Sequence, residues 1–142
     1  MNTIDDRPVL ESRGALWTGR LLTALCALFL LFDALSQIAK PAPVANAFNR
    51  LGMPIALSGP IGILELVCIA VYIVPLTTVF GPVLLTGYLG GAIATNLRAG
   101  SPLFAETLFP VYFGIALWAG VVLRDRDVLV FIPIRRRSGA NR

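Results

Sequence analysis

The sequence predicts an all-α integral membrane protein, a four-helix antiparallel up-down bundle with both termini in the cytoplasm. Three observations carry this. Of 142 residues, 56% are hydrophobic and 14% charged, with a mean hydropathy of +0.78; so much apolar surface cannot be buried in one small soluble core. The apolar residues fall in four runs, near 16–38, 57–74, 79–97 and 103–123, each close to the roughly 20 residues that a helix needs to cross a bilayer. Lys and Arg are unevenly placed, nine of them in the head, at Arg20 and in the tail from Arg124, against Lys40, Arg50 and Arg98 elsewhere. Positive charge is retained on the cytoplasmic side, so both ends are expected there, in a multi-pass protein of the plasma membrane. The chain reads as one membrane domain, 1–142, with no room for a soluble one.

The head, 1–15, mixes Asp5, Asp6, Arg7, Glu11 and Arg13 without a hydrophobic period and reads as a solvated cytoplasmic tail. In the first run the uncharged core, Leu21 to Phe32, is followed by Asp33, Ser36, Gln37 and Lys40. Ala45-Asn46-Ala47 resembles a signal-cleavage site but lies 15 residues past Phe32, behind an acidic head, so an uncleaved span is expected. Pro41 and Pro43 end this helix. The segment 42–56, with Asn46, Asn49, Arg50 and the Gly52-Met53-Pro54 turn signal, reads as an outer loop, with Val44, Phe48 and Leu51 against the bilayer surface. The second run is entered through Ser58-Gly59-Pro60, closed by Pro75, and holds Glu65 and Cys68.

The third run, Val79 to Arg98, is expected to organise the bundle. Gly87, Gly91 and Thr95 recur every four residues, which makes a small-residue groove where another helix backbone can approach closely. On that reading Gly91→Leu destabilises the bundle strongly; the alternative is a backbone cleft for a ligand. Ala99-Gly100-Ser101-Pro102 breaks the run, and Pro110 is placed to kink the fourth helix near its start. Trp17 and Trp118 suit the cytoplasmic headgroup level. In the tail, 124–142, the apolar stretch Val128 to Ile134 is too short to span and precedes Arg135, Arg136 and Arg137. It reads as lying on the inner leaflet beside anionic lipid, which makes the net charge of +4 a membrane signal rather than a nucleic-acid one.

Candidate site residues are the polar groups within or beside the spans, because charge in hydrocarbon is costly and faces a partner or a water cavity. Asp33 is five residues from the end of the first run, or ~7 to 8 Å below the outer surface. Glu65 lies eight residues into the second run, about 12 Å deep by the same rise, where a carboxyl must be neutral or paired. Asn96, Arg98 and Glu106 sit at the same outer end. If these five face inward they form a polar pocket opening away from the cytoplasm; otherwise Asp33 caps its own helix, Glu65 bonds a neighbouring helix, Arg98 snorkels and Glu106 is a solvated loop acid.

Absences narrow the chemistry. The chain has no histidine, so a bis-His haem, a histidine-ligated metal and an imidazole proton shuttle are excluded. Cys26 and Cys68 lie on different runs with no C-x-x-C pair and read as packing residues. No phosphate-binding glycine loop, dinucleotide fingerprint or nucleophile elbow is present. No cofactor, no metal and no catalytic residue is assigned.

The segments Gly62-Ile63-Leu64-Glu65-Leu66 with Cys68, Tyr72-Ile73-Val74-Pro75 with Thr77, Leu85-Thr86-Gly87-Tyr88-Leu89-Gly90-Gly91-Ala92 with Ala94-Thr95, and Leu103-Phe104 with Phe109-Pro110-Val111-Tyr112 together resemble the DoxX-like family of small bacterial membrane proteins. The chain departs from that family's pattern at Asn96, where histidine is usual, and at Leu76, where arginine is common. The resemblance implies a four-helix membrane protein with a distant link to the DoxX subunit of a thiosulfate:quinone oxidoreductase.

Three readings of function follow. The first is a non-catalytic membrane or accessory subunit of a redox or envelope complex, docking another membrane protein, or a second copy, through its glycine face. The second is a quinone- or lipid-binding redox subunit with Glu65 handling a proton. The third is an oligomeric small-solute or proton carrier. The missing cofactor ligands favour the first, and the chain is not expected to be an enzyme.

Overall fold

Every element in the computed structural model is helical, and the described residues are 13–74, 79–124 and Val128. Helix α1 (Arg13–Ala39) is followed by α2 (Ala42–Arg50), a 3-10 turn (Ile55–Leu57), α3 (Ser58–Ile73), α4 (Phe80–Ala99), a π turn (Leu103–Thr107) and α5 (Phe109–Arg124). Three stretches, Gly14–Ala39, Ile55–Ile73 and Leu103–Arg124, are long and apolar enough to cross a membrane. Helix α4, with 20 residues, is long enough as well, but its glycines, Thr95, Asn96 and Arg98 dilute its apolar character.

Proline and glycine set the helix ends. Pro41 disfavours helical geometry at the residue before it, and Lys40 takes a left-handed conformation, φ 53°, as α1 stops. Gly100, φ 69°, closes α4: its N–H donates to Leu97 O at 3.2 Å and the Ser101 N–H to Asn96 O at 3.0 Å, a reversal that an L side chain adopts only with strain. Pro110 has no N–H to offer the carbonyl of Glu106. The chain before it widens, with Thr107 N–H donating to Pro102 O at 3.1 Å and Leu108 N–H to Leu103 O at 2.9 Å, and the regular helix resumes at Phe109.

The bundle is organised around α1, which corrects the expectation that the glycine-rich helix is its centre. Helix α1 packs most extensively, against α5 on one side and α3 on the other, and α4 closes the ring between α3 and α5. Close approach uses other glycines, among them Gly81 at the start of α4, where a Cβ would collide with Tyr72 Cα. A Cβ at Gly62 would stand 2.7 Å from Ala34 O, and one at Gly120 would stand 3.0 Å from Thr23 Oγ1. At Gly87 and Gly91 a Cβ would meet nothing within 4 Å. Among the described residues, the Gly87–Gly91 face of α4 therefore receives no helix backbone; it faces open space, and the cleft alternative describes it.

The core gathers Leu30 and Ala34 of α1, Cys68, Ile69 and Tyr72 of α3, Leu85 of α4, and Leu117 and Val121 of α5. Both cysteines are buried and free. Phe29, Phe109 and Phe113 form an aromatic cluster with centroids 5.1 to 6.2 Å apart, tying α1 to α5. The outward faces are apolar too: Phe32 and Phe80 are 72% and 70% exposed, an arrangement suited to lipid rather than water.

Two further expectations need correction. The segment read as an outer loop contains α2, nine residues long, with Val44, Phe48 and Leu51 on one side and Phe48 buried. Prolines and asparagines obscure so short a helix in the sequence, because its stability comes from the bundle it packs on and not from propensity. In the tail, Val128 belongs to the buried core rather than to a leaflet surface; the rest of the expected surface segment lies outside the described residues, as do residues 1–12 of the head and the 75–78 turn, while Arg13 to Ala15, expected in the solvated head, begin α1.

Candidate functional site

Between α3 and α4, under α2, lies a cavity of about 710 Å³. Its walls are apolar: Val44, Phe48 and Leu51 from α2 and the following turn, Ile61, Leu64 and Cys68 from α3, and Leu84, Gly87, Gly91 and Ala92 from α4. The glycines hold it open. With no side chain on that face, α4 leaves a space of a size typical of small-molecule sites, which run from roughly 300 to 1,000 Å³.

A polar cluster forms one part of the wall. The close approach at Gly62 seats α3 on α1 beside Ala34 and Gln37, and Ser58, fully buried, donates its hydroxyl to Gln37 O. One turn of α3 after Gly62 comes Glu65, also fully buried. Gln37 Nε2 lies 2.9 Å from Asp33 Oδ2, 3.0 Å from Glu65 Oε2 and 2.9 Å from Tyr88 Oη, while Tyr88 donates its hydroxyl to Glu65 Oε2 at 2.9 Å. The amide has two N–H groups for three acceptors, so the donors here are saturated and acceptor capacity remains. Glu65 Oε1 is buried without a hydrogen-bond partner. Asp33, Gln37 and Tyr88 all line the cavity, and Glu65 sits directly behind them.

Of the five residues singled out from the sequence, the structure joins Asp33 and Glu65 through Gln37. Asn96 lines the cavity higher up, with Nδ2 donating to Ala92 O of its own helix at 3.0 Å. Glu106 also lines it and accepts from Arg50 at 3.2 Å, an ion pair between the π turn and the end of α2. At such exposure the pair adds little stability, about 0 to 1 kcal/mol, and acts mainly as a tie between the two segments. Arg98 is not part of the lining: its Nη2 donates to Leu51 O at 3.1 Å, a second tie that pins the end of α2 to α4. Thr95 lines the cavity beside Asn96 but returns its hydroxyl to Gly91 O at 2.9 Å.

Sequence reasoning missed Gln37, Tyr88 and Arg50 as site residues. Gln37 had a signal, one helical turn after Asp33 on the same face. Tyr88 had less: it adjoins Gly87, yet its pairing with Glu65 spans 23 residues, and no local period reports that.

A ring of apolar helices with exposed hydrophobic flanks, lining a cavity whose walls are mainly apolar, is a helical membrane protein. The chain belongs to the DoxX-like family, whose model matches residues 21–120. That match takes in most of α1, which carries Asp33 and Gln37, as well as the whole of the cavity's α3 and α4 walls. Comparison with curated proteins and with solved structures returns no match.

Proposed function

We propose that this DoxX-like protein is a membrane-embedded binding subunit that holds an amphipathic small molecule in the α3–α4 cavity and does no chemistry of its own. The observation that carries the reading is a cavity of about 710 Å³ with apolar walls and a hydrogen-bonded Asp33–Gln37–Glu65–Tyr88 cluster on one side. Apolar walls take the body of a ligand, and a few convergent polar groups orient its head. The glycine face of α4, first read as a docking surface, serves in this reading as the cavity wall.

The details of ligand chemistry separate two lipid-like classes. A quinone ring offers only carbonyl acceptors, whereas Gln37 and Tyr88 already direct their hydrogens at carboxyl oxygens. A ligand that brings its own donor is better matched.

A direct test fills the cavity. Gly91→Leu places a branched side chain where a Cβ meets nothing within 4 Å, so the variant is expected to melt within a few degrees of the parent in detergent while losing bound ligand. Native mass spectrometry of gently purified protein should show an adduct in the parent and none in Gly91→Leu. An adduct that persists in the filled variant, or a parent with none, counts against the cavity.

In this reading α1, α3, α4 and the α5 segment all cross the plasma membrane, with both termini cytoplasmic and α2 on the outer side. Support comes from the nine Lys and Arg assigned to the cytoplasmic ends against three elsewhere. A cysteine at Asn49, an exposed position of α2, should react with a membrane-impermeant maleimide applied to intact cells, while the buried Cys26 and Cys68 stay silent. Reaction only after the cells are opened would reverse the orientation.

A further inference from the structure

The donors and acceptors around the cavity are unequal in a way that specifies a ligand. Most donors are directed back into the protein. Tyr88 gives its single hydrogen to Glu65 Oε2, Thr95 gives its own to Gly91 O, and Asn96 Nδ2 donates to Ala92 O. The Gln37 amide is shared among Asp33, Glu65 and Tyr88. Among the described lining residues Arg50 is the one cation, and it sits at the rim, 69% exposed and bonded to Glu106. Acceptors are left over. Asp33 faces the cavity from an exposed position with only Oδ2 engaged. Glu65 Oε1 is fully buried with no partner, on a carboxyl whose other oxygen is held by two cavity-lining side chains.

An uncompensated carboxylate such as Asp33, facing a cavity with apolar walls, is costly. A donor-bearing cation meets that demand, in charge and in hydrogen bonding. The aromatic rings of Phe48 and Tyr88 on the lining add a second attraction for such a group.

We infer that the cavity selects a lipophilic cation, an ammonium-type group carried on an apolar body, with Asp33 as its counter-charge and hydrogen-bond acceptor. The inference rests on the binding reading above and adds the sign of the ligand's charge. An aminophospholipid headgroup and a free hydrophobic amine share this chemistry.

The test uses full-length protein in dodecyl maltoside, with radiolabelled tetraphenylphosphonium as the probe and equilibrium dialysis as the readout. Decylammonium is expected to displace the probe about tenfold more tightly than decanol or decanoate. Asp33→Asn keeps an acceptor for Gln37, so it should melt like the parent while that preference disappears. Displacement by phosphatidylethanolamine but not phosphatidylglycerol would identify the lipid as the source; displacement by decylammonium alone would identify the free amine. Equal competition by cation, alcohol and acid, all lost in Gly91→Leu, would overturn the charge preference and leave the cavity as a binding site. Failure of every probe to bind would remove both, and tighter binding of decanoate would reverse the assignment.

Discussion

Gly62→Val is expected to abolish the folded bundle, or to leave so little that it elutes as aggregate in detergent. A Cβ at this position would already stand 2.7 Å from Ala34 O, with Gln37 Cβ and Ile38 Cγ1 each at 3.1 Å, and valine adds two methyl groups beyond it. The carbonyl cannot move aside, because it belongs to the helical backbone of α1. Helix α3 must back away instead, which separates Ser58 from Gln37 O and Glu65 from Gln37 Nε2. Overpacking a well-fitted site costs about 1 to 3 kcal/mol or more, and the loss of the buried hydrogen bonds adds to it. The measurement is folded yield by size exclusion together with the melting midpoint, with Gly91→Leu as the matched control. Two variants that melt alike would mean that α1 and α3 do not meet at Gly62. A second copy of the chain docked through the glycine face would also reveal itself here, since Gly91→Leu would then break an oligomer that the parent forms.

Glu65→Ala is expected to be nearly as damaging, and for a different reason. Tyr88 and Gln37 both direct hydrogens at Glu65 Oε2; with the carboxyl gone, the Tyr88 hydroxyl loses its acceptor inside the bundle, while the Gln37 amide keeps Asp33 and Tyr88. Each buried group left unsatisfied costs ~1 to 3 kcal/mol, and deletion of a fully buried side chain leaves a void as well. Glu65→Gln retains an acceptor for Tyr88 and nearly the same volume, so its melting midpoint should fall between those of Glu65→Ala and the parent. The comparison separates scaffold from site. If the glutamine variant melts like the parent and still binds probe like the parent, the carboxyl serves the fold alone. Loss of binding with stability retained assigns Glu65 to the ligand.

The class of the protein was legible in the sequence alone. Hydropathy is a sum over neighbours, so long apolar runs report a membrane whatever they pack against, and prolines and glycines mark helix ends because their effects are local. Asp33, Glu65 and Asn96 were placed at compatible heights by counting residues along the helices, and Gln37 was visible on the face of Asp33. Three matters were decided only by the tertiary structure. The period of Gly87, Gly91 and Thr95 says that they share a face, but the same stripe serves a helix contact or an open cleft, and only the position of the other helices distinguishes them. The partnership of Tyr88 with Glu65 depends on how α4 is set against α3 and α1, which no spacing within a single helix encodes. Helix α2 exists because the bundle presents a surface for Val44, Phe48 and Leu51 to cover, so its local sequence reads as a loop. In each case the deciding energy is contact between segments remote in sequence, which acts only once the chain has brought them together.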